Sequence, residues 1–103
     1  MNLHHIAFVS SDIEKSVEWY KEKWDSNLIY KDKTWALIEM AGTRIAFVKD
    51  HHPPHVGFEV DRSFIDEHAQ DFDFKFHRDG SKYSYIKDPD GNVIEILSWD
   101  HNG

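Results

Sequence analysis

The amino-acid sequence predicts an α+β protein built from two βαβββ modules, and three observations carry that prediction. The element pattern runs strand, helix and three strands, then starts again after a proline-rich connector. Two segments recur: His5-Ile6-Ala7-Phe8-Val9 lines up with His55-Val56-Gly57-Phe58-Glu59. Gly42-Thr43-Arg44-Ile45-Ala46-Phe47-Val48 lines up with Gly91-Asn92-Val93-Ile94-Glu95-Ile96-Leu97. The chain has 103 residues, enough for one small domain with a modest core. Two copies are too few for a solenoid, so the modules are expected to pair face to face or edge to edge, which also covers exposed sheet edges. The expected organisation is a single domain over 1–103, with modules at 1–50 and 55–100 and a connector at 51–54.

Leu3 to Val9 is the first strand, with Ile6 and Phe8 on one face and His5, Ala7 and Val9 on the other. Ser11 with Glu14 three residues later makes a capping box, and a helix from Asp12 to about Trp24 follows. Its buried stripe is Ile13, Val17, Tyr20 and Trp24. Acidic residues fill its first turn and lysines its last, as the helix dipole prefers. Leu28 to Lys31, Trp35 to Met40 and Arg44 to Val48 are strands, the last two joined by a turn at Ala41-Gly42-Thr43. His51-His52-Pro53-Pro54 is an extended connector, because two prolines forbid helix and central strand. The second module opens with a strand from His55 to Val60. Ser63 caps a short helix through about Gln70. Phe72, Phe74 and Phe76 alternate as a strand, and Asp79-Gly80 is a turn. A hairpin closes the module: Lys82 to Lys87, the turn Asp88-Pro89-Asp90-Gly91, then Val93 to Leu97.

A net charge of −7 argues against a nucleic-acid or anionic-membrane partner. With no cysteine there is neither a disulfide framework nor thiolate chemistry. The start, Met1-Asn2-Leu3-His4-His5, lacks the pattern of a signal peptide, and no apolar stretch approaches a membrane span. A soluble cytoplasmic protein is the expectation. Eight histidines and fifteen aromatics (four Trp, four Tyr, seven Phe) are many for this length. They suggest ligands and a lined cavity, although aromatics also simply fill cores.

One residue does not fit the pattern. In the closing strand Val93, Glu95 and Leu97 share a face, so a glutamate lies between two apolar neighbours. Buried carboxylates are expensive unless paired or bound to a metal. Asp88, Asp90 and Asn92 superficially suggest a calcium loop, but Gly91 precedes Asn92 and Glu95 comes too early, so calcium is rejected.

His5-Ile6-Ala7-Phe8-Val9 with Asp12 and Trp19-Tyr20, His55-Val56-Gly57-Phe58, and Asp88-Pro89-Asp90-Gly91-Asn92 with Glu95 together resemble the vicinal oxygen chelate superfamily. That superfamily includes glyoxalase I, bleomycin-resistance proteins, extradiol dioxygenases and fosfomycin-resistance thiol transferases. The resemblance covers nearly the whole chain, and the last block is its most specific part. It implies a glyoxalase-like fold, with paired modules forming a curled mixed sheet and helices on the outside. It also implies a cup in which a divalent metal binds two neighbouring substrate oxygens. A homodimer is expected, because in so short a chain a second subunit can complete the cup, with modules pairing either within or between chains.

Carried over position by position, the family's metal ligands fall on His5, His55 and Glu95, and the fourth position is Ala46. Such a set suits manganese, iron, nickel or zinc and leaves coordination positions open. The missing carboxylate at Ala46 weakens the isomerase reading. Fosfomycin-type transfer is disfavoured by the short tail after Glu95, which lacks basic residues. Small Ala7 and Gly57, two residues beyond each histidine, leave room for a ligand or accommodate sheet curvature. Arg44 is a weak catalytic candidate, either holding an anionic substrate group or pairing with Glu39 across its hairpin. Tyr83 and Tyr85 are further weak candidates as proton or hydrogen-bond donors, and Trp35 could line the cup or fill the core. His4, His51 and His52 read as solvated neighbours. No serine or cysteine nucleophile with a base is legible, and no glycine-rich phosphate loop.

Two functions follow. The first is a metal-dependent lyase, transferase, dioxygenase or isomerase acting on a small oxygenated substrate. The second is a metal-free small-ligand-binding protein of the bleomycin-resistance type, with a fold-only interaction module as a poorer third.

Overall fold

The structure, a computed structural model, describes residues 1–99. Its elements are β1 (Asn2–Val9), α1 (Ile13–Lys23), β2 (Asn27–Lys31), β3 (Trp35–Met40), β4 (Thr43–Val48), β5 (His55–Glu59), α2 (Arg62–Glu67), β6 (Lys75–Phe76), β7 (Lys82–Lys87) and β8 (Val93–Ser98). The βαβββ order occurs twice, as the sequence predicts, and the fold is α+β. Residues form two compact units, His5–His55 in one, and Met1–His4 with Val56 onward in the other.

In the first unit the strand order is β2-β3-β4-β1. β1 runs parallel to β4, with Ala7 opposite Ala46. A parallel neighbour needs a crossover, and α1 supplies the helical part of it. The cap of α1 differs from the expectation. Asp12, not Ser11, has the extended backbone of an N-cap, and its carboxylate accepts from the Lys15 amide at 3.1 Å. Ile13 and Val17 of α1 pack on Ala36, Ile38, Ile45 and Phe47, with Tyr20 and Met40 at the margin. Fully burying one such aliphatic side chain contributes roughly 1.5–3 kcal/mol. Trp24, expected to end this stripe, is 49 % exposed. It is the C-cap residue, and its ring lies against Trp19 and Tyr20 instead. The other face of the sheet carries Ala7, Ala46 and Val48 with Leu37. The turn between β3 and β4 has Ala41 at φ 52 and Gly42 at φ 72, the two left-handed residues that a twisted two-residue hairpin requires.

In the second unit the order is β5-β8-β7-β6. β7 and β8 form the expected hairpin, in register from Lys87 opposite Val93 to Lys82 opposite Ser98. Its turn is held by Asp88, whose carboxylate accepts from the Asp90 and Asn92 amides and from the Asn92 side chain. The cap of α2 is Asp61 rather than Ser63. Asp61 accepts from the Phe64 amide at 3.1 Å, and the Ser63 hydroxyl donates to the same oxygen. The helix ends at Glu67, short of Gln70. The expected Phe72–Phe76 strand shrinks to Lys75–Phe76. Phe72 stacks on His68 and Phe74 meets Phe72 edge-on, so local ring packing accounts for much of that alternation. The core is Val60, Ile65 and Ile96, with Phe58, Phe64, Phe74, Ile86 and Ile94 packed against it.

The repeat is structural as well as sequential. Ile45 and Phe47 of β4 pack with the core of α1, and Ile94 and Ile96 of β8 pack with the core of α2. The intervening residues, Ala46 and Val48 in one module and Glu95 and Leu97 in the other, therefore take the opposite face. Among the described residues no helix is long and apolar enough to cross a membrane, which says nothing of a β-barrel.

Candidate functional site

In the first unit, His5 and His55 are both buried, 8 % and 7 % exposed. β1 places His5 on the face that Ala7 shares, and β5 begins at His55. Their rings meet edge to face, with centroids 5.1 Å apart and planes at 85°. The Nε2 atoms are 3.1 Å apart. The connector sets the second ring: His55 Nδ1 lies 2.9 Å from the Pro53 carbonyl oxygen. A carbonyl only accepts, so Nδ1 carries the hydrogen and Nε2 presents its lone pair. This is the arrangement that outer partners impose on metal-bound imidazoles. Two ligand nitrogens about 2.1 Å from one ion and at right angles to it are about 3.0 Å apart. The observed 3.1 Å fits two neighbouring positions on one ion.

In the second unit, Glu95 is 3 % exposed. β7 and β8 put it directly opposite Tyr85. Its Oε2 accepts from His77 Nε2 at 2.6 Å, and the Tyr85 hydroxyl donates to the same carboxylate. Tyr85 is 39 % exposed as a residue. Local desolvation of its phenol, and then the Glu95 charge, nevertheless push its pKa well above the ordinary value. Tyr85 thus stays a protonated donor at neutral pH. Asp79 sits nearby. Desolvation pushes its carboxyl upward, but the Ser81 hydroxyl and amide outweigh that, and its pKa is lowered overall.

The remaining sequence candidates separate clearly. Ala46 is buried with Ala7, Val48 and Leu37 and offers no ligand atom. Arg44 is exposed and lies directly opposite Glu39 across the hairpin. Trp35 stacks on Tyr30, with centroids 4.7 Å apart. Tyr83 stacks on His77 at 3.6 Å, with ring planes 7° apart, and meets Tyr85 edge-on. His51 and His52 are exposed and His4 is half-buried. His77 is the functional-type residue that the sequence reading missed. One signal could have found it. The Asp79-Gly80 turn closes with the His77 amide donating to the Ser81 carbonyl, and Lys75 pairs with Tyr83. Counting residues through that hairpin puts His77, Tyr83, Tyr85 and Glu95 on one face.

Two βαβββ modules define a glyoxalase-like fold, which solved structures share. No family model matches the chain. The metallothiol transferase FosB of Staphylococcus epidermidis is 26 % identical over 113 residues, covering 92 % of this chain and 80 % of that protein. The FosB of Staphylococcus haemolyticus is 23 % identical over 93 residues, covering 90 % of this chain and 63 % of that one, less than two thirds of its length. Among solved structures, a Legionella pneumophila protein named as an NAD-dependent benzaldehyde dehydrogenase superposes with a TM-score of 0.68 at 23 % identity, covering 91 % of this chain and 96 % of that one. A glyoxalase/bleomycin resistance protein/dioxygenase superfamily member from Vibrio splendidus 12B01 gives 0.64 at 14 % identity, with 90 % and 94 % covered. The Mn(II)-bound glyoxalase of Novosphingobium aromaticivorans gives 0.63 at 17 % identity, covering 98 % of this chain and 40 % of that one. The structural likenesses establish the fold. The sequence relatives beside them are metallothiol transferases at 26 % and 23 % identity.

Proposed function

We propose that this protein is a divalent-metal-dependent enzyme acting on a small oxygenated substrate, with His5, His55 and Glu95 as the metal ligands. The observation that carries the reading is the pair of buried imidazoles with Nε2 atoms 3.1 Å apart, one of them fixed as a lone-pair donor by Pro53. Glu95, in the other unit, is likewise a buried residue of a ligating type. Two imidazoles and a carboxylate suit manganese, ferrous iron, nickel or zinc and leave positions for water and substrate. A bound ion would act as Lewis acid and template, polarising the oxygens it holds.

The chain's own residues supply the rest. His55 holds its tautomer through Pro53. Tyr85 donates to Glu95, and its raised pKa makes it a hydrogen-bond donor rather than a base. Ala46 provides no second carboxylate, so proton abstraction of the isomerase kind lacks its base. Group transfer therefore stands first among the superfamily's reactions, in line with the metallothiol transferases this chain resembles over 92 % of its length. That likeness weighs against the argument from the short tail. A single domain over 1–103, acting as a cytoplasmic homodimer, completes the proposal. Size-exclusion chromatography tests the dimer.

Elemental analysis of protein purified without a histidine tag tests the metal. The expected result is stoichiometric metal in the wild type, lost together in His5→Ala, His55→Ala and Glu95→Ala. Protein that is metal-free, with a melting temperature indifferent to manganese, nickel, zinc and ferrous iron, overturns the proposal. That second outcome would favour the metal-free ligand-binding reading. One observation supports it: among the described residues every buried polar side-chain atom already has a hydrogen-bond partner.

A further inference from the structure

We propose that His77 is a positioning residue that sets the orientation of the Glu95 carboxylate, an inference that rests on Glu95 being a metal ligand. His77 follows the short β6, at the start of the Asp79-Gly80 turn. The turn fixes its backbone twice, through the His77 amide to the Ser81 carbonyl at 2.9 Å and the Gly80 amide to the His77 carbonyl at 3.0 Å. Its ring lies flat on Tyr83, 3.6 Å between centroids and 7° between planes. Backbone and ring are thus both held before the imidazole reaches Glu95.

The distance to Glu95 decides what His77 does there. Two atoms bound to one ion at about 2.1 Å and at right angles stand about 3.0 Å apart. His77 Nε2 and Glu95 Oε2 are 2.6 Å apart, too close for neighbouring ligands and right for a charge-assisted hydrogen bond. A carboxylate accepts, so Nε2–H donates. A glutamate needs such a donor because its terminal torsion is broad and two-fold. Left alone on β8, the carboxylate would sample orientations that turn either oxygen toward an ion. With Oε2 engaged by His77 and the Tyr85 phenol adding a second donor, one orientation is selected. Such outer partners are typically worth 10–100-fold in metal affinity.

The test compares wild type, His77→Phe and His77→Gln by Mn(II) titration and by thermal unfolding without metal. His77→Phe keeps a ring to stack on Tyr83 but has no donor. His77→Gln keeps a side-chain N–H. We expect His77→Phe to lose some stability without metal, because Glu95 keeps only the Tyr85 donor, and to bind Mn(II) roughly 10–100-fold more weakly, with His77→Gln recovering most of the affinity. Equal Mn(II) affinity in His77→Phe, or an equal loss in His77→Gln, overturns the role of His77 while leaving the metal reading intact. No Mn(II) uptake by the wild type overturns the metal reading and this inference with it. Tyr83→Leu keeps the imidazole and removes its stacking surface. A several-fold loss in that variant supports the role even if His77→Phe fails to fold, and no loss counts against it.

Discussion

The two modules share a plan and divide the chemistry unequally. The first has an eleven-residue helix capped by Asp12 and an aliphatic core around Ile38. The second has a six-residue helix, a two-residue β6 and a core rich in phenylalanine. The contrast is sharpest at equivalent positions on the face away from the helix. There the first module carries Ala46 amid Ala7, Val48 and Leu37. The second carries Glu95, hydrogen-bonded to His77 and Tyr85. A duplicated scaffold keeps its backbone and core alternation while one copy is free to acquire a polar site. The helix-facing residues of both closing strands stay apolar, because there the core tolerates little else.

The largest expected effect comes from removing the asymmetry. Glu95→Ala should lose more metal affinity than the roughly 100-fold that outer partners cost, as read by metal titration. The converse change, Ala46→Glu, puts an unpaired carboxylate into an apolar cluster. In metal-free protein it should lower stability by about 3 kcal/mol, measured by urea unfolding. Its partial recovery on adding metal would show that the first module can be made to resemble the second. Next comes the difference in helices. Asp12→Ala removes a cap from the longer helix and should cost about 1 kcal/mol, and Asp61→Ala should cost less, in a helix of only six residues. The smallest effect is on acid sensitivity. The Ser63 hydroxyl and then the Phe64 amide hold the Asp61 pKa below its ordinary value, and the Asn92 side chain and amide do the same for Asp88. A lowered folded-state pKa contributes stability that is present above the unfolded value of about 3.9 and lost as pH falls through the folded value. Stability should therefore fall below about pH 4, and Asp61→Asn should flatten that fall in an acid titration of urea midpoints.

Much of this was legible in the sequence because the signals were periodic. Ile13 and Val17 announce α1, the alternation from Val93 to Leu97 announces β8, and Asp88-Pro89-Asp90-Gly91 announces the turn between β7 and β8. The caps were misplaced by one or two residues because aspartate and serine are interchangeable as cap types. Only geometry shows that Asp12 and Asp61 reach the third amide while Ser63 bonds to Asp61 itself. The phenylalanine run was overread because rings stacked on a short helix also alternate. His77 escaped notice because its role comes from counting through a hairpin, not from any motif of its own.

The hydrogen bond from His55 to Pro53 carries a consequence for how such a repeat can be engineered. The linker is not a passive tether, since the carbonyl that selects the His55 tautomer belongs to it. A chain reopened between Pro53 and Pro54, or a circular permutant with new ends there, would keep every strand and helix of both modules. It would nevertheless unfasten the acceptor from the residue it governs. The join between two copies thus sets which nitrogen of His55 carries the hydrogen, and linker length at this point is a design variable for tautomer rather than for reach.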